Sequence, residues 1–76
     1  MSDFKTRLAA EKAELDERLG KLVDFQQSEA FQNIDPLQMS LLNIQAFAMT
    51  TYSQCLAERI AWLDKEAANA VDKQEG

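Results

Sequence analysis

Apolar residues at Phe4, Leu8, Leu15, Leu19, Leu22 and Phe25 recur at steps of three, four or seven. That is the stripe of an amphipathic helix, and it predicts helix one over about 3–27. Ser2 or Asp3 can cap its start, with acidic charge placed at the positive helix end. Lys5, Lys12, Glu14, Glu17 and Lys21 form the solvated face. Gly20 costs roughly 1 kcal/mol inside a helix and reads as a place where another helix comes close.

A connection spanning Ser28 to Asp35 ends in a strong helix start. Asp35 suits the N-cap, Pro36 the first helical position, and Gln38 the third, where it can complete a capping box. Ile34 and Met39 have the spacing of a hydrophobic staple across that cap. Helix two then runs over about 36–70 with no Gly or Pro to stop it, leaving 72–76 as a polar tail expected to fray. At 1.5 Å per residue the helices measure roughly 36 Å and 50 Å. A short connection makes them antiparallel neighbours, so helix two overhangs by about two turns or more. The expected fold is all-α, a single domain over about 1–71 built as an antiparallel two-helix hairpin.

Helix two carries more apolar surface than one helix can cover. One row runs Leu42, Met49, Leu56 and Leu63, with Ala46, Ile60 and Ala67 beside it. A second row, Leu41, Ile44, Ala48, Cys55 and Trp62, lies on the other flank. The surplus predicts a homo-oligomeric helical bundle, even-numbered because two-fold interfaces are the commonest. Between the rows, at intervals of seven, sit Gln38, Gln45, Tyr52, Arg59 and Glu66, and helix one offers Glu11 and Arg18 beside its own leucines. Polar groups removed from water must find partners or cost about 1–3 kcal/mol each. Two readings of the column stay open. It can be structural, with Glu11 pairing with Arg59 and polar contacts fixing register and oligomer state. Alternatively Arg18, Gln45, Tyr52 and Arg59 line a ligand pocket between subunits, since Arg forks onto phosphate oxygens, Tyr stacks on a base and Gln reads a base edge. Phe47 points away from both rows among polar residues, and Trp62 is placed on the overhang. Both are candidate partner-contact residues.

Composition narrows the chemistry. The chain of 76 residues has 46% hydrophobic and 28% charged residues and a net charge of −5, so its surface repels nucleic-acid backbones. The absence of His and the single Cys55 leave almost no ligands for a structural metal and none for an internal disulfide. Cys55 lies on an apolar row with no base at helical spacing and reads as a small core residue. The carboxylates Asp16, Glu17, Asp64 and Glu66 fall on solvated faces. No Gly-rich phosphate loop occurs. These features argue against an enzyme, a bound cofactor and a catalytic residue. The helices are acidic or mixed rather than basic, which argues against membrane association. With no signal-peptide pattern or bilayer-length apolar run, the expected location is the cytoplasm.

Several short motifs carry a resemblance. They are Phe4-x-x-Arg7-Leu8, Glu11-Lys12-x-Glu14-Leu15, Lys21-Leu22-x-x-Phe25, Asp35-Pro36-x-Gln38, Leu41-Leu42-x-x-Gln45, Ala48-Met49-x-x-Tyr52 and Leu56-x-x-Arg59. From Phe4 to Leu63 the chain resembles short helical proteins of tailed phages, related to a protein of crAss-like phages. The resemblance implies a phage origin and expression in the cytoplasm of a bacterial host. It also implies an anti-defence role, either as a sponge that sequesters a cyclic nucleotide immune signal or as an inhibitor docking on a host protein. A virion accessory role is the remaining alternative.

Overall fold

A computed structural model describes the backbone of residues 2–75 and the side chains of residues 3–68. Among these residues the structure is all-helical, with three elements: α1 (Ser2–Gln26), α2 (Glu29–Gln32) and α3 (Pro36–Glu75). The principal extents are 62 × 16 × 15 Å. Forty residues of α3 at 1.5 Å each span about 60 Å, so this one helix sets the long axis. It continues to Glu75, past the end near residue 70 and through the segment expected as a polar tail. Gly76 lies outside the described residues.

α1 lies alongside α3 and runs the opposite way. Three cross-helix bonds fix the register: Lys5 pairs with Asp64, Ser53 Oγ donates to Asp16 Oδ1 at 2.5 Å, and Gln26 Nε2 donates to Asn43 Oδ1 at 2.9 Å. Each step forward along α1 is matched by a step back along α3. The shared seam takes residues at alternating steps of three and four from each helix. Leu56 is fully buried and Leu8 nearly so, with Leu15, Leu19, Leu22, Leu42, Ala46, Met49, Ile60 and Leu63 half-buried around them.

Two polar residues, Lys12 and Ser53, occupy seam positions and are half-buried. This corrects the assignment of Lys12 to the solvated face: its stem lies along the seam and its amine donates to Asp16 Oδ2 at 2.6 Å. The bond from Lys12, then the one from Ser53, hold the Asp16 carboxyl below its ordinary pKa. Asp16 and Asp64 thus serve as cross-helix partners rather than purely solvated carboxylates.

The connection contains a helical turn that the periodicity does not predict. Ser28 is the N-cap of α2, its Oγ accepting from Phe31 N at 3.4 Å and donating to Phe25 O at 2.6 Å. The turn delivers Phe31 to the end of the helix pair, 6% exposed, edge-on to Phe25 with ring centroids 5.8 Å apart. The α3 cap forms where expected: Leu37 N donates to Asp35 Oδ1 at 2.8 Å. Ile34 and Met39 are half-buried on either side of it.

Two expectations fail on the register. Trp62 is not on the overhang, because it lies level with Arg7, well inside the length of α1. A Cβ added at Gly20 would meet nothing within 4 Å, so this glycine marks no close approach among the described residues. Replacing Gly20 by Ala should therefore stabilise the chain by about 1 kcal/mol through helix propensity alone, read from the denaturation midpoint. Leu56→Ala empties the most enclosed position on the seam and should cost about 2–5 kcal/mol, measured by chemical denaturation. A loss under about 1 kcal/mol would mean that the seam is not the principal core.

Candidate functional site

α3 presents a second side to solvent. Leu37, Leu41, Ile44 and Trp62 are 64%, 48%, 65% and 59% exposed. These are bulky apolar groups that a helix ordinarily buries. Within this side the residues Leu41, Gln45, Ala48, Tyr52, Cys55, Arg59 and Trp62 again step by four and three. They form a second seam, turned about a quarter-circle from the first, which α1 flanks near Phe4 and Leu8 but does not cover. Cys55 is exposed on this seam. That corrects its reading as a core residue: the apolar row it belongs to is real, but nothing among the described residues covers it.

Near the open end of the helix pair this flank hollows into a groove of about 490 Å³, lined by Phe4, Leu8, Cys55, Glu58, Arg59, Trp62 and Leu63. Apolar walls surround one guanidinium and one carboxylate. Such a surface suits a ligand with a flat apolar part and an anionic part. Phe4 and Glu58 were not singled out by sequence reasoning. Phe4 sits on the predicted stripe of α1, but at 46% exposure it belongs to the groove rather than to the seam.

The four candidate ligand residues distribute along this flank. Gln45, Tyr52 and Arg59 follow one another at two-turn intervals of about 10 Å, so one compact ligand cannot touch all three on a single chain. All three are exposed. Gln45 Nε2 lies 3.9 Å from Met49 Sδ, a weak local contact. Phe4, Glu11 and Arg18 share a column of α1 by their sevenfold spacing, and Phe4 shows that this column faces the groove. The register puts Arg18 level with Thr51 and Tyr52, and Glu11 level with Glu58 and Arg59.

Among the described residues the ion pairs are Lys5–Asp64, Lys12–Asp16 and Lys21–Glu17. The pairing of Glu11 with Arg59 is not formed, and Arg18 and Arg59 have no ionic partner among those residues. The two residues considered for partner contact do not form one patch. Phe47 is 76% exposed, yet it lies fifteen residues from Trp62, roughly 22 Å along α3. Trp62 belongs to the groove with Arg59.

No group of side chains suited to hold a metal ion occurs among the described residues. No helix there is long and apolar enough to cross a membrane. A family model described as Sequestin matches residues 2–62. No curated protein and no solved structure matches the chain.

Proposed function

Since the chain belongs to the Sequestin family, we propose that it is a non-enzymatic phage protein that counters host immunity by sequestering a cyclic nucleotide signal between subunits. The family name supports sequestration of a signal molecule. The observation that carries the rest is the uncovered flank of α3, where Arg59 and Tyr52 lie exposed beside Leu41, Ile44 and Trp62. A guanidinium without an ionic partner binds phosphate oxygens in a fork, and exposed aromatic rings stack on bases. Arg18, level with Tyr52, supplies a second cation on the same flank. A chain with net charge −5 holds an anion here because the local field is set by these arginines. The helical hairpin is the unit, and an even-numbered assembly in the bacterial cytoplasm buries the apolar part of the flank. No cofactor or turnover takes part.

A thermal-shift panel of cyclic di- and trinucleotides and cyclic ADP-ribose isomers tests this. Binding to the folded state raises the melting temperature, equivalent to about 2.7 kcal/mol at a hundredfold excess over Kd. Arg59→Ala should abolish the shift and Tyr52→Ala, which removes the stacking ring, should weaken it, both leaving the assembly intact by light scattering. A flat response over the whole panel would sink the sequestration of these signals. Dissolution of the assembly by either substitution would make the column structural instead.

The exposure of Phe47 favours one second reading, in which the chain docks on a host protein or virion component. Capture of a stoichiometric host protein from lysate, lost on Phe47→Glu while the ligand-induced melting shift persists, would place partner binding at Phe47. Unchanged capture by Phe47→Glu would remove that residue from any such interface.

A further inference from the structure

We propose that the occupant of the second seam of α3 is α3 of another copy, packed antiparallel about a two-fold axis level with Tyr52, so that Tyr52 and Arg18 of both copies face one central site. The inference rests on the assembly in the reading above and adds its register and the composition of its site.

The seam is self-complementary when read backwards. Pairing it antiparallel about Tyr52 sets Leu41 against the partner's Trp62, Gln45 against the partner's Arg59, and Ala48 against the partner's Cys55. Each bulky apolar group meets another at the ends. The two small residues meet near the middle, where the backbones can come close. Each guanidinium lies beside an amide rather than another guanidinium, which leaves most of its five donors for an anion, and no like charges are opposed along α3. A parallel pairing would instead stack Arg59 on Arg59 and Trp62 on Trp62, leaving the repulsion uncompensated.

The same axis makes an independent demand on α1, which has no part in choosing it. The intramolecular register carries the level of Thr51 and Tyr52 to Glu17 and Arg18. A two-fold there brings the exposed column Arg7, Glu14 and Lys21 beside its symmetry mate. Glu14 then lies opposite the partner's Lys21, an opposite-charge pair made twice. In the resulting four-helix bundle, the columns holding Tyr52, Arg59 and Arg18 point toward the bundle interior. Interiors of such bundles are where ligand sites are built from facing helices. Two Arg18 and two Tyr52 across a two-fold match a symmetric anion with two phosphates and two bases.

Disulfide trapping in the absence of ligand tests the register. Cys55 and its symmetry mate are offset by six residues, about 9 Å along the axis, beyond the reach of a disulfide. The unmodified chain under a mild oxidant should therefore stay monomeric on a non-reducing gel. Ala48→Cys should convert to a dimer of twice the mass, reversed by reductant. In a Cys55→Ser background, Tyr52→Cys should also cross-link, through a single bond on the axis. Dimerisation of the unmodified chain through Cys55 would overturn the register about Tyr52. A dimer by light scattering in which neither engineered cysteine cross-links would overturn the register while leaving the sequestration reading standing. A monomer by light scattering would overturn the assembly itself.

Discussion

The seam between α1 and α3 is the constraint on which the rest of the chain depends. Leucines spaced by three and four would allow α1 to slip by seven residues against α3 and still meet apolar partners, because the apolar repeat has that period. What forbids the slip is polar. Asp16 is held from both helices at once, by Lys12 on its own and Ser53 on the other. Lys5 with Asp64 and Gln26 with Asn43 pin the two ends at the same offset. These bonds are exposed, and each contributes little to stability. Their value lies in selecting one register from several of similar apolar burial.

Once the register is fixed, the surplus of α3 becomes a definite geometry rather than a general hydrophobic excess. α1 uses one seam of α3 and its own outward columns are charged, so it cannot wrap around to the other. The second seam is therefore left facing solvent with Leu41 and Trp62 on it and Ile44 beside it. Its polar members are arginine, tyrosine and glutamine, which can bond to an anion or a base. An apolar seam would specify only assembly. Placing polar groups along it makes the same surface able to bond a ligand as well as pack against a partner.

Much of this was legible in the chain. The cap at Asp35 and Pro36 follows from local chemistry, which tertiary contacts do not alter. The two rows on α3 were also legible, because a helix longer and more apolar than its neighbour shows its excess as periodicity. Offsets were not. Sequence spacing places residues on faces but does not say which residue of α1 stands level with which residue of α3, so spacing alone puts Trp62 on an overhang that begins further along. A charged residue at a seam position looks solvated until the other helix is set against it, so spacing alone puts Lys12 on the solvated face, although its stem lines the seam and its amine bonds Asp16 of its own helix. The turn of α2 was hidden for a related reason: four residues hold no period, and its purpose is to deliver Phe31 onto Phe25.

Electrostatics join the proposed assembly to the proposed ligand. With the two-fold at Tyr52, the Arg18 side chains of both copies approach one another across the axis. Like charges brought together in a partly dry interior oppose association. An anion between them converts that repulsion into two attractions. Binding and assembly are then linked, and the coupling is reciprocal: whatever affinity the dimer gains for the anion, the anion returns as stability of the dimer. A bundle lined by leucines alone would assemble equally well with or without its cargo. The cost of facing arginines is the physical reason why a sequestering protein would keep charges at the centre of an interface that apolar residues could hold more tightly.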